Sequence, residues 1–366
     1  MKIDRIEAIP LVIPFASRSH DPAWRGKDYG ALETLLIRVE TSDGIVGWGE
    51  AFSYNCQRPV IAALSDMIAP LVLGRDSRHI EALLHEVQKV LHIYGRYGVV
   101  NFALSGLDVA LWDIAAKRGG VPLGDLLGGV PQTEVDAYAS LFRYGDPARV
   151  ADDARQMVSA GFGRVKVHTR GTADVVAARD AIGFEIPLMM DTNCSWTIAE
   201  AYAAAPKIKE CDVLWLEEPI FPPEDFRTLA AFQATTAIPL AAGENACTAF
   251  EFQKILAESA VRYVQPSVTK VGGITEFRKV AALAEVSGVT LAPHSPYFGP
   301  GFLATLHLIG SQQQPAYVEY FCIALEAKPF GNRFEPVNGK IRIPTGAGLG
   351  LDPDPGVIKE YRVQLA

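Results

Sequence analysis

Seven residues able to ligate a metal or move a proton recur along this chain at a nearly constant interval. Lys166, Asp191, Glu217, Glu244, Lys270, His294 and Glu319 are separated by 25, 26, 27, 26, 24 and 25 positions. One strand, one helix and two loops consume about that many residues, and a (β/α)₈ barrel of about 250 residues holds eight such units. Each of the seven sits at or just past the end of a short apolar run that reads as a strand. The carboxyl ends of barrel strands converge on one mouth. The spacing therefore predicts a single pocket holding carboxylates, lysines and a histidine, which is a metal site surrounded by acid/base groups.

Asp191, Glu217 and Glu244 fall on three successive strand ends. Three oxygen ligands with room for water and substrate suit Mg²⁺, which keeps several non-protein ligands in an octahedral shell. Mn²⁺ fits the same oxygens. Asn193 lies beside the first ligand and is expected to touch substrate. Lys166 and His168 are two apart on one strand, so their side chains share a face. A lysine beside a second cation and a metal is expected to have a lowered pKa, which suits proton transfer. The histidine needs little tuning. His294, at the end of strand seven, is expected across the mouth from strand two, where it can give or take a proton. Lys270 follows strand six and is either catalytic or paired with a ligand carboxylate. Glu319 is either a protonated donor to an enolate oxygen or a partner for lysine. The chemistry that needs such a set is removal of the proton next to a substrate carboxylate. Cations must then stabilise the dianionic enolate. A group on the other face either returns a proton or helps a hydroxyl leave.

The elements that must position these residues follow from periodicity. Eight strands are expected at 135–141, 164–168, 187–191, 213–217, 239–244, 263–266, 289–294 and 316–320. Helix-forming segments separate them, for example 148–160, 173–182, 198–209 and 275–286. That alternation predicts a parallel sheet. The first part of the chain reads differently: three strands with a TSDG turn between the second and third, then helical patterns at 60–73, 77–92 and 99–118. The expected organisation is an α+β capping domain over residues 1–130, a barrel over 131–329, and a Pro- and Gly-rich tail, 330–366, that returns to the first domain.

Composition narrows the function classes. The 366 residues are 49% hydrophobic and 21% charged, as in ordinary globular proteins. With 34 basic and 42 acidic residues the formal net charge is −8, so no nucleic-acid partner is expected. No uninterrupted run of 18 apolar residues suggests a membrane partner. Five scattered cysteines without a CxxC pair fit free thiols and a cytoplasmic setting.

Several motifs, taken in order, resemble the enolase superfamily: GIVGWGE, SGLDVALWDIAAK, MDTN, LEEP, GEN, KVGG and IPTGAGLGLD. The third ligand being glutamate, and a histidine after strand seven, resemble the mandelate racemase subgroup of the mandelate racemase/muconate lactonizing enzyme family. The resemblance implies a capping domain built from both termini and Mg²⁺ on Asp191, Glu217 and Glu244. It also implies a small-molecule carboxylate substrate, a homo-oligomer, and loops near 17–29 and 52–58 that close over the substrate. The first of these loops carries His20, Asp21, Arg25, Lys27 and Tyr29, which suits a hydroxylated substrate. Two positions depart from the pattern. Strand two reads Lys166-Val167-His168 where the subgroup has Lys-x-Lys, which makes His168 the base and Lys166 the carboxylate binder. Strand six carries Ser267 where the subgroup has an aspartate, so His294 is expected to lack an orienting partner. Lys270 resembles the second base of the muconate-lactonizing group. Dehydration of a sugar acid to a 2-keto acid is the leading expectation. A racemase, epimerase or cycloisomerase, or a non-catalytic carboxylate binder, are the others.

Overall fold

The computed structural model describes residues 1–16, 30–129, 132–314 and 316–364. The chain begins with an antiparallel meander, β1 (Ile3–Pro14), β2 (Ala31–Thr41) and β3 (Val46–Ala51). Against it lies the 21-residue helix Val99–Gly119, which is buried on nearly every side. Among the described residues it is the one helix long and apolar enough to cross a bilayer, but 78% of its apolar window is buried in the protein, as in a core helix. Close approach demands glycine: a Cβ on Gly49 of β3 would stand 1.9 Å from the Gly106 carbonyl.

Eight parallel strands follow: β4 (Glu134–Leu141), β5 (Val165–His168), β6 (Leu188–Asp191), β7 (Val213–Glu217), β8 (Leu240–Ala242), β9 (Tyr263–Val264), β10 (Thr290–Leu291) and β11 (Val318–Phe321). They pair in chain order from β4 to β10, and β11 pairs β4. All eight expected strands are present, but β8, β9 and β10 are only two or three residues long. Glu244, Lys270 and His294 therefore sit in the loops beyond their strands rather than at strand ends. Among the described residues no backbone ladder joins β10 to β11. The Ser295 hydroxyl bridges this seam, accepting from Glu319 N and donating to Glu319 O, each at 3.1 Å.

Alternation along each strand divides the side chains. Val165, Val167, Leu188, Met190, Leu216 and Val264 pack outward under the helices. Tyr138, Met189, Trp215, Ala241 and Ala292 plug the lower interior. One step up, the same inward parity delivers Ser140, Lys166, Asp191, Glu217 and Glu319, all buried.

The tail serves both halves. β12 (Lys340–Arg342) pairs antiparallel with β4. Further on, Val363 N donates to Pro10 O at 3.0 Å, and Arg362 pairs with Glu7 at 2.9 Å. The first region also supplies buried carboxylates to the amino ends of barrel helices, where peptide N–H groups lack partners. Asp108 accepts from Thr275 N at 3.1 Å at the start of helix Gly273–Val286. Gly273, at φ +77°, has no room for a Cβ, which would lie 2.2 Å from that carboxylate. Glu50 accepts from Gly301 N at 2.9 Å at the start of helix Pro300–Gly310.

Candidate active site

Asp191, Glu217 and Glu244 converge at the barrel mouth, each offering an oxygen within 4.8 Å of the others'. They come from β6, from β7 and from the loop just past β8. Asp191 and Glu217 are fully buried, and Glu244 is partly open. Burial and the neighbouring Asp191 charge push the Glu217 carboxyl well above the usual range, and Lys166 opposes this incompletely. Like charges are crowded here with too little compensation, and the donors are hard oxygens. That arrangement suits a divalent cation. Backbone bends beyond the strands serve the cluster. Asn193, at φ 47°, brings its own N–H to Asp191 Oδ1 at 2.8 Å. Its side chain accepts from Arg143 rather than pointing free into the pocket.

Lys166 lies at the centre of the charged layer. Its Nζ stands 2.8 Å from Glu319, 3.0 Å from Glu217 and 3.4 Å from Asp191. Burial alone would lower its pKa, but the carboxylates win and hold it well above the ordinary lysine value. The expected lowering is thus reversed, because the nearest charges are anions. Lys166 is a fixed cation. Burial would raise Glu319, but Lys166 dominates and its pKa is held down to about 2. Glu319 also accepts from Ser140 Oγ at 2.7 Å and from Ser295 N at 3.1 Å. Of its two expected roles, the geometry matches the lysine partner.

His168 is oriented by a backbone carbonyl. Its Nδ1 stands 2.7 Å from Leu141 O, which can only accept, so Nδ1 carries a hydrogen. Nε2 points into the mouth, 3.1 Å from Asp191 Oδ2. His294 mirrors it at the other end of the cluster, with Nε2 3.2 Å from Glu244 Oε2. Burial pulls the His294 pKa below the ordinary value, against the pull of Glu244 and Glu319. The expectation that His294 lacks an orienting partner is overturned. Tyr297 OH stands 3.1 Å from its Nδ1, and Ser267 Oγ in turn contacts Tyr297 OH.

Lys270 reaches Asn245 Oδ1 at 3.3 Å and lies over the Phe52 ring, 4.7 Å from its centroid. Among the described residues it makes no ion pair, so the expected carboxylate pairing is absent there. Phe52 N donates to Thr269 O at 3.1 Å and Tyr54 OH to Pro296 O at 2.6 Å, so the loop at 52–58 does reach the mouth. The loop at 17–29 lies outside the described residues. Sequence reasoning missed Tyr297, Arg143, Asn245 and the Leu141 carbonyl. Tyr297 was discoverable in principle, three residues after His294 in HSPY; the carbonyl carries no signal in residue type.

Comparison with known proteins adds independent information. A family model described as enolase C-terminal domain-like matches residues 149–357. A second, the mandelate racemase / muconate lactonizing enzyme N-terminal domain, matches residues 29–128. The chain is 32% identical over 343 residues to an arabinonate dehydratase of Saccharolobus solfataricus, covering 90% of this chain and 91% of that protein. It is 32% identical over 348 residues to a D-galactarolactone cycloisomerase of Agrobacterium fabrum, with 90% and 91% covered. The crystal structure of a racemase from Streptomyces coelicolor A3(2) with bound magnesium superimposes with a TM-score of 0.87 at 28% identity, covering 99% of this chain and all of that one.

Proposed function

We infer the reaction from one premise: the chain belongs to the mandelate racemase / muconate lactonizing enzyme family of the enolase superfamily. It removes the α-proton of a small-molecule carboxylate and passes through an enolate, and its principal reaction is dehydration of a sugar acid to a 2-keto acid. The observation that carries this reading is the pair of imidazoles at opposite ends of one carboxylate cluster, His168 on Asp191 and His294 on Glu244. Asp191, Glu217 and Glu244 would hold magnesium, or manganese on the same oxygens, and the bound cation would supply positive charge to stabilise the enolate.

His168 is the base. The Leu141 carbonyl keeps the hydrogen on Nδ1, so Nε2 is the nitrogen that takes the proton from carbon. Lys166 stays charged among its carboxylates and lends positive charge to the substrate carboxylate. On the opposite side, His294 would give a proton to the leaving hydroxyl, so that water departs as the electron pair moves from the α-carbon to form the enol, which tautomerises to the 2-keto acid. Lys270 adds a second cation at that side, and Asn193 with Arg143 line the rim. The similarity to a dehydratase of arabinonate supports an acid-sugar substrate. Equal similarity to a cycloisomerase supports a second reading, in which the same proton removal opens or closes a ring. A cytoplasmic homo-oligomer accords with the scattered thiols and the family.

Incubation in D₂O with magnesium and a library of acid sugars and lactones separates these readings. A semicarbazide-reactive ketoacid is expected. Isomerised product with α-deuterium and no ketoacid would move the assignment to an isomerase. Silence across the library would leave a carboxylate binder.

A further inference from the structure

We propose that Asn101, Ser105 and Asp108 of the capping region are positioning residues for Lys270, and that Asn101 sets where its cation stands in the mouth. The inference deepens the reaction proposed above. It rests on that reading for the role of Lys270, though not for how the lysine is held.

One face of the buried helix Val99–Gly119 carries a line of polar groups. Asn101, Ser105, Asp108 and Trp112 follow at steps of four, three and four, which aligns them along a helix. The first three are buried. Polar groups inside a core helix are costly unless each meets a partner. Here the partners lie together on one stretch of the barrel, 270–275. Asn101 Nδ2 donates to Lys270 O at 2.6 Å, and Ser105 Oγ accepts from Gly272 N at 2.9 Å. Asp108 accepts from Thr275 N, and Trp112 Nε1 donates to Thr275 Oγ1 at 2.9 Å. Gly272 and Gly273, at φ +112° and +77°, bend the chain so that these groups face the helix.

The barrel's own hold on this turn is slighter. Cys247 Sγ reaches Lys270 O at 3.4 Å, and Thr248 N donates to Val271 O at 3.0 Å. The ring under Lys270 Nζ also belongs to the capping region, and Phe52 N is tied to the same turn at Thr269 O. Both the backbone and the cation of Lys270 are therefore referenced to the first region. Lys166, across the mouth, takes its ion pairs from barrel strands instead. Lys270 is itself buried, so packing leaves its side chain little freedom to make good a displaced backbone. Without the Asn101 amide, the buried Lys270 carbonyl keeps only a weak thiol donor, and the turn is expected to shift toward another partner.

The test uses magnesium-loaded protein labelled with lysine carrying ¹³C at the ε carbon. Protons above the face of an aromatic ring resonate upfield. The Lys270 ε protons, assigned by loss of their signal in Lys270→Met, are expected upfield of those of exposed lysines because Phe52 lies beneath them. In Asn101→Ala that upfield displacement should collapse. There kcat for ketoacid formation should fall roughly tenfold with KM nearly unchanged. In the Lys270→Met background the same change should cost less than about twofold, because the residue it acts through is gone. Ser105→Ala releases Gly272 and should act in the same direction, which keeps the test open should Asn101→Ala misfold. An ε signal that stays in place in both variants overturns the proposal. So does an undiminished further loss in the Lys270→Met background, which would make the polar line a docking surface and nothing more. Collapse of the upfield displacement in Asn101→Ala, with no ketoacid formed by wild type from any acid sugar, would retire the dehydration reading while upholding the placement of Lys270.

Discussion

The two sides of the barrel mouth carry the same residue types, one histidine and one lysine each, yet they are built from different parts of the molecule. On one side the polar contacts of the described residues all come from the barrel. Leu141 anchors His168, and Asp191, Glu217 and Glu319 surround Lys166. On the other side the capping region takes part. Phe52 lies under Lys270, Tyr54 donates to Pro296 beside His294, and Glu50 caps the helix that follows. The first side is a dense ion network that, among the described residues, the first region touches only at one remove, through Phe15 on Phe142 and Phe142 on the Phe321 ring beside His168. The second is a composite whose geometry depends on two regions docking.

The sharpest way to break this comparison is to remove the base. His168→Asn should lower α-proton exchange by roughly 10²–10⁴-fold while calorimetry finds magnesium binding intact. Survival of exchange would transfer the base to the composite side.

Next in size is the lysine contrast. Lys166→Met strands three buried carboxylates, and breaking such a network costs about 3–5 kcal/mol. Part of the loss should return on adding magnesium, which binds the folded state. Lys270→Met should cost less than about 1 kcal/mol, since it makes no ion pair among the described residues. Equal costs in thermal unfolding would erase the distinction.

Phe52→Ala perturbs the composite side alone. Turnover should fall about tenfold through misplacement of Lys270 and its neighbours. Exchange catalysed from the His168 side should persist. Parallel loss of both would mean that the capping region supports the whole mouth.

The smallest effect is in pH. Burial raises the Glu50 carboxyl to about 8 despite its bonds to Gly299 and Gly301. A group raised in the folded state contributes stability that is full below the unfolded value and lost as pH climbs through the folded one. Wild type should therefore lose stability between about pH 5 and pH 8 on this account. Glu50→Gln, which keeps an acceptor without the charge, should lose less, by roughly 2 °C of melting temperature. A difference that does not change with pH would exclude Glu50 as the source.

Much of this arrangement was legible in the chain, for definable reasons. The interval between Lys166, Asp191, Glu217 and Glu319 survives folding because each parallel strand carries its inward side chains to one mouth, although only Asp191 and Glu217 are direct register partners, Lys166 pairing with Met189 and Glu319 with Tyr138. Glu244, Lys270 and His294 keep the interval but lie in loops, because β8 to β10 stop early; pattern reads the period and not the strand's end. The ligand cluster was predictable because like charges at one height need a cation. Partner relations were less so. The change to Ser267 read as a loss, but the vacancy is filled by Tyr297 from a different loop, and one position cannot report what a neighbouring loop contributes. The carbonyl that orients His168 belongs to the backbone, which every residue possesses. The lysine pKa was misjudged in sign because the count of nearby anions is a three-dimensional quantity.

The join between β10 and β11 bears on how the cylinder breathes. A single hydroxyl and one acid, Ser295 and Glu319, do there what a run of peptide bonds does at every other junction. Amide protons flanking this slit should exchange with solvent sooner than those of β5 and β6. The acid that fastens the slit is the one gripping Lys166, so parting the staves and loosening the reactive centre are a single event.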